Sequence, residues 1–147
     1  MIFEKLKSLR ENSELTQRQI ALKLNVSKST YNRWETGETF IPLKHLNTLC
    51  NFYDLSMDYV LNLSKDKNYP EVKTEIDKKI IGKRILCLRK KLNLSQNDLA
   101  KLLNTSHSTI SAYENGKTLI LTVFAYSIAT KFDISLDWLC GRIDKKI

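Results

Sequence analysis

Apolar positions along the chain recur every three to four residues, the spacing that marks one face of an α-helix. Ile2, Leu6 and Leu9 predict a first helix over roughly 2–12. Ile20, Ala21 and Leu24 form the inner face of a second helix. Thr16 suits its N-cap, and Gln19 three residues on completes a capping box. After a tight turn at Asn25-Val26, Ser27 opens a third helix that closes at Gly37, a residue suited to the left-handed end of a helix. Pro42 fits the first turn of a fourth helix, with Leu46, Leu49 and Phe52 inward. Ser56 caps a short fifth helix carrying Val60.

The whole pattern then returns. Residues 2–63 align with residues 81–142 at a constant offset of 79, without a gap. The segment from Leu15 to Thr39, LTQRQIALKLNVSKSTYNRWETGET, answers the segment from Leu94 to Thr118, LSQNDLAKLLNTSHSTISAYENGKT. In the second copy Ile81, Ile85 and Leu88 mark the first helix, and Ser95 and Ser106 open the next two. A fourth helix is expected around Phe124–Lys131 and a fifth from Ser135. A register this long means two copies of one folded unit. Each has about 60 residues, enough for one compact helical core. The expected organisation is a first domain over 1–64, a linker over 65–75, and a second domain over 76–147. The linker region is polar up to Pro70, and then Ile76, Ile80 and Ile81 at helical spacing predict an extended first helix for the second domain.

Composition narrows the function classes. The chain has only 2 Pro and 4 Gly, which favours long helices joined by short turns. No stretch approaches the roughly 18 apolar residues of a membrane span. The N-terminus lacks the apolar run of a signal peptide, so a cytoplasmic protein is expected. Cys50, Cys87 and Cys140 are odd in number, widely spaced and free of any CxxC pattern; buried free thiols are the expectation. His45 has no ligand-spaced partner and reads as a surface histidine. With no paired nucleophile, no metal spacing and no Gly-rich phosphate loop, neither enzyme activity nor a metal or other cofactor is expected.

These residues together resemble a family. The elements L[TS]QxxLA, a short turn, SxST, and the closing Trp34-Glu35-Thr36-Gly37 or Tyr113-Glu114-Asn115-Gly116 are similar to the helix-turn-helix domain of the Cro and lambda-repressor type, also called the XRE family. The resemblance implies an all-α chain of two tandem five-helix, lambda-repressor-like DNA-binding domains. It covers nearly everything but the linker and the last few residues. Two positions depart from the family. Asn25 and Asn104 stand where Gly is usual, and Asn is among the residues that best tolerate a positive φ. Tyr31 stands where the second copy has the more typical Ile110, which implies repacking of the first core.

The resemblance also assigns residues. The third helix of such a domain lies in the major groove and its first turns read base edges. Those positions are Ser27, Lys28, Ser29, Asn32 and Arg33 in copy one, and Ser106, His107, Ser108, Ser111 and Ala112 in copy two. Lys28 and Arg33 are suited to guanine O6 and N7, and Asn32 to adenine. Gln17 and Gln96 match the family's phosphate-contacting glutamine, and Thr36, Asn115 and Lys117 follow the reading helix where the family also touches backbone. Such contacts position the protein without specifying sequence. Arg10 with Glu35, and Arg89 with Glu114, match a scaffold ion pair between the first helix and the end of the third.

Charge divides the two copies. Copy one (1–64) has 8 Lys or Arg against 7 Asp or Glu, the next 16 residues 5 against 4, and copy two (81–147) 11 against 5, within a total of +8. A basic chain suits a polyanion. The better base readers lie on the nearly neutral copy, whereas Lys83, Arg84, Lys90, Lys91 and Lys117 surround the small polar reading helix of copy two. A division of labour is expected, with sequence discrimination from copy one and phosphate attraction from copy two. The segment Thr118–Ala129 adds Leu121, Val123, Phe124 and Tyr126, more apolar positions than one amphipathic helix buries, and marks a possible interface for a homodimer through the second domain. The expected function is a double-stranded DNA-binding transcriptional regulator, a repressor of bacterial or phage type. The alternative is a protein-binding module, an antitoxin or phage-encoded inhibitor, in which one or both units hold a protein partner.

Overall fold

The computed structural model describes residues 2–67 and 73–144, with side chains from Glu4 onward. The Ile2 side chain and Pro70 of the linker region lie outside the described residues. The regular elements among the described residues are ten helices, with no strand. The chain divides into two compact units, 1–73 and 74–147. Unit one contains α1 (Ile2–Asn12), α2 (Gln17–Lys23), α3 (Lys28–Thr36), α4 (Leu43–Tyr53) and α5 (Met57–Val60). Unit two contains α6 (Lys78–Lys91), α7 (Gln96–Leu102), α8 (His107–Glu114), α9 (Thr122–Phe132) and α10 (Leu136–Leu139).

Local chemistry sets the helix starts. The Thr16 hydroxyl accepts from the Gln19 N–H while the Gln19 side chain accepts from the Thr16 N–H. Ser95 and Asp98 repeat this reciprocal box at α7. Ser27, Ser56, Ser106 and Ser135 each accept from the backbone N–H three residues on. Caps of this kind contribute about 1 kcal/mol each. The turns between second and third helices are made by Asn25 and Asn104, both at φ 56°. Gly37 ends α3 at φ 80°. The second copy ends α8 one residue differently: Asn115 stays right-handed and Gly116 takes the positive φ.

Apolar faces close on one core in each unit. In unit one Leu6, Ile20, Tyr31, Leu46, Leu49 and Val60 are buried, and in unit two Ile81, Ile85, Ile110, Ile128, Leu136 and Leu139. Burial of one such aliphatic side chain contributes about 1.5–3 kcal/mol.

Several expectations are corrected. Phe52 is 40% exposed, because at 3.6 residues per turn it falls nearly opposite the Leu43–Leu46–Cys50 stripe, with the Lys23 ammonium over its ring. Pro42 is the N-cap of α4 rather than part of its first turn, with an extended ψ of 150°. Asp77 caps α6 and accepts from the Lys79 N–H, so Ile76 precedes the helix; Ile80 is exposed and only Ile81 enters the core. Cys87 is exposed, on the side of α6 away from Ile81, Ile85 and Leu88, while Cys50 and Cys140 are buried. His45 is half-buried against Trp34, ring centroids 5.3 Å apart, and desolvation followed by the Lys44 charge lowers its pKa.

Two features of unit two have no counterpart in unit one's sequence. α6 crosses the end of α8 so closely that a Cβ at Gly82 would lie 2.3 Å from the Tyr113 carbonyl oxygen; the same register in copy one holds Phe3. Behind α10, Arg142 and Asp137 form an ion pair at 2.8 Å, each side chain 3% exposed.

Candidate nucleic-acid interface

In each unit the second helix packs on the third. Ala21 and Ala100 are buried there, at 2% and 3% exposure. A carboxylate at the end of the third helix ties it to the first. Arg10 Nε donates to Glu35 Oε2 at 2.6 Å and Nη2 to Oε1 at 3.1 Å, and Nη1 donates to the Leu15 carbonyl. In unit two Arg89 makes the same fork to Glu114 at 2.7 and 2.9 Å and reaches the Leu94 carbonyl. These bonds tie α3 to α1 and α8 to α6. Burial alone would raise the Glu35 pKa, but the hydrogen bonds from Arg10 and Gln17 and the guanidinium charge bring it below the ordinary range.

The outward faces differ. On unit one Ser27, Lys28, Ser29, Asn32, Arg33 and Thr36 are all exposed. Among the described residues, the Lys28 and Arg33 side chains have no partner, which leaves both cations available. On unit two Ser106, His107, Ser108, Asn115 and Lys117 are exposed, while Ser111 and Ala112 are half-buried. Its hydroxyls bond to one another: Ser106 Oγ lies 3.0 Å from Ser108 Oγ and 2.9 Å from Thr109 Oγ1. Asn115 donates to Ser111.

Gln17 and Gln96 are half-buried at the start of α2 and α7. Gln17 Nε2 donates to Asn32 Oδ1 at 3.0 Å and to Glu35 Oε1 at 3.2 Å. Gln96 Nε2 donates to Glu114 Oε1 at 3.0 Å and makes no second bond among the described residues, because Ser111 stands where Asn32 stands in copy one. The sequence contains both glutamines and the Asn/Ser difference, but periodicity does not show that the three side chains meet.

The cations around α8 are not equivalent either. Lys83, Lys90, Lys91 and Lys117 are exposed. Arg84 is turned inward: it donates to the carbonyls of Trp138 and Ile143 and to Asp144, and its guanidinium stacks 5.3 Å from the Trp138 ring centroid. Arg84 therefore ties the C-terminal segment to α6 and is not among the exposed cations. Of the apolar residues around α9, Leu121, Val123 and Tyr126 are 56%, 39% and 40% exposed. Phe124 is half-buried near Tyr113 and lines an open groove with Ser108, Ala112, Leu119 and Leu121.

Comparison with known proteins converges on the same element. A helix-turn-helix family profile matches residues 6–60, and a second, described as a helix-turn-helix domain, matches residues 82–144. The HTH-type transcriptional regulator YobD of Bacillus subtilis is 37% identical over 75 residues, covering 51% of this chain and 64% of that protein. The HTH-type transcriptional activator BcrR of Enterococcus faecalis is 34% identical over 59 residues, 40% of this chain and 29% of that protein. Antitoxin PezA of Streptococcus pneumoniae is 38% identical over 63 residues, 43% of this chain and 40% of that protein. The chain thus spans between 29% and 64% of the length of these relatives.

Proposed function

Because the chain is a tandem of two helix-turn-helix domains of the Cro and lambda-repressor (XRE) type, we propose that it is a two-headed, sequence-specific regulator of transcription that places α3 and α8 in the major groove of double-stranded DNA. The observation that carries this reading is the pair of outward helix faces, each set by a cap, a positive-φ Asn turn and a forked Arg–Glu bond. Occupancy of an operator by both heads blocks polymerase without further parts, so repression in a bacterial cytoplasm, by a regulator of bacterial or phage type, is the proposed mode. A named activator among the relatives makes the sign of regulation a question for a reporter assay.

Labour divides between the heads. Lys28, Asn32 and Arg33, with Ser27 and Ser29, read bases; Thr36 touches backbone. Unit two attracts phosphate through Lys83, Lys90, Lys91 and Lys117, while Gln96 and Asn115 position it and Ser106, His107, Ser108 and Ser111 read weakly. Exposure supports this split: the outer face of α1 carries Glu4 and Glu11, and the equivalent positions on α6 carry Lys83 and Lys90. Binding of the full chain to its selected duplex and to scrambled duplexes, across salt, tests it. Lys28→Ala with Arg33→Ala relaxes specificity. Lys90→Ala with Lys91→Ala weakens all sequences together and flattens the slope of log K on log salt by up to about 2. Equal loss of specificity from the two pairs contradicts the division.

A second reading is favoured by the exposed Leu121, Val123 and Tyr126. This face of unit two holds a protein, either a second copy of the chain or, as the antitoxin relative suggests, a different partner. Sedimentation of a folded Tyr126→Lys variant at the parent's mass rules out a homodimer through this face.

A further inference from the structure

Gln17 and Gln96 occupy the same place in the two units, yet their hydrogen bonds leave them with different capacities. A glutamine amide has two N–H donors. Those of Gln17 go to Asn32 Oδ1 at 3.0 Å and Glu35 Oε1 at 3.2 Å, so neither remains for a phosphate. Only one of Gln96's is engaged, on Glu114 at 3.0 Å. Glu35 is itself held by the fork from Arg10, so Gln17 is braced from the core side and presents a fixed donor to Asn32. Asn32 is exposed, and its Nδ2 has no partner among the described residues. With Oδ1 drawn toward Gln17, the amide faces outward through its two N–H groups.

From this geometry we infer that Gln17 is a positioning residue that makes Asn32 a donor-only reader, selecting guanine rather than adenine at the base pair it meets. The inference rests on the reading of α3 as a major-groove helix. An asparagine pairs with adenine by accepting from N6 while donating to N7, which needs Oδ1 turned to the base. Guanine presents two acceptors, N7 and O6, and asks only for donors. Gln17 therefore acts on sequence choice through Asn32, whereas Gln96, with a free N–H and Ser111 opposite, acts on affinity alone.

The test is selection from a random duplex library with the full chain and with Asn32→Ala, Gln17→Met and Gln96→Met, each checked for an unchanged fold by circular dichroism and thermal melting. Asn32→Ala identifies the base pair by erasing its preference. At that pair the parent selects guanine. Gln17→Met, which keeps the length and removes both donors, shifts the ratio of guanine to adenine by about tenfold toward adenine and leaves the other positions alone. Gln96→Met lowers binding to all sequences evenly. In the DNA-free protein the Asn32 side-chain amide resonances move in Gln17→Met, a readout that a uniform phosphate contact would not give. An unchanged preference at that pair in Gln17→Met, with even loss across sequences, overturns the inference while leaving DNA reading intact. Adenine preferred by the parent also overturns it. No selected motif from the parent sinks the DNA-reading proposal itself, and this inference with it.

Discussion

Units one and two share one fold and differ in where their polar groups are placed. Unit one buries two tyrosine hydroxyls, Tyr31 beside the Glu35 carboxylate and Tyr53 without a hydrogen-bond partner among the described residues. Unit two has Ile110 and Phe132 at those positions and no such pair. Glu114 is held there by Arg89 and Gln96 as Glu35 is by Arg10 and Gln17, and unit two adds a buried ion pair, Arg142–Asp137, at its C-terminal edge. Outside, the contrast inverts. Unit one presents Lys28, Asn32 and Arg33 from a weakly charged body, and unit two presents small hydroxyls from a strongly basic one. The scaffold tolerates this exchange because helix caps, Asn turns and the Arg–Glu fork hold α3 and α8 alike.

The largest predicted effect breaks unit two alone. Arg142→Ala leaves the Asp137 carboxylate buried at 2% exposure, and loss of one partner of a buried pair costs about 3–5 kcal/mol. Hydrogen exchange resolved by residue is expected to show loss of protection across α6–α10 and none across α1–α5. Next is Gly82→Ala, whose new methyl meets the Tyr113 and Glu114 carbonyls at 2.3 and 2.8 Å. Forced separation of α6 from α8 costs about 1–3 kcal/mol, again read as unit-two protection.

Smaller effects separate the units by pH. Burial raises the Tyr53 hydroxyl from its ordinary 10 to about 12. Burial, and then the neighbouring Glu35 carboxylate, hold Tyr31 higher still. A folded pKa above the unfolded one means stability that is whole below pH 10 and is lost as the pH rises through 12. Unit two has one raised tyrosine, Tyr113. Alkaline titration is therefore expected to open unit one more steeply, and Tyr31→Phe with Tyr53→Phe to remove the excess. The acid limb runs the other way. The lowered Glu35 pKa gives stability present above pH 4.5 and lost as the pH falls through the folded value, an effect that Glu35→Gln abolishes. Smallest is Tyr53→Phe at neutral pH: removal of its unpartnered buried hydroxyl leaves unit one unchanged or more stable by up to about 1 kcal/mol.

Much of this architecture is legible in the sequence because it is local. Thr16 with Gln19, Ser27, Ser56, Ser95, Ser106 and Ser135 act on backbone within three residues, so their roles follow from spacing. Apolar periodicity found the inner faces and failed where an apolar residue falls nearly opposite the buried stripe, as Phe52 does, or where a cap intervenes, as Asp77 does before Ile80. Long-range polar geometry was not legible. Arg84 lies 59 residues from the Ile143 carbonyl it binds, and nothing in its neighbourhood shows that it faces inward. Gln17 meets Asn32 across 15 residues, and only the folded crossing of α2 and α3 brings them together. Helical spacing places the candidate readers on one face of their helix; it does not show which of them still hold free donors.

The most direct test of the two-headed account is random-library selection with the full chain, with Lys28→Ala, Asn32→Ala and Arg33→Ala combined, and with His107→Ala and Ser108→Ala combined. The account predicts a two-part motif in the parent, loss of the more informative half in the first variant, and degeneration of only the less informative half in the second. A single-part motif that survives changes to either helix contradicts it.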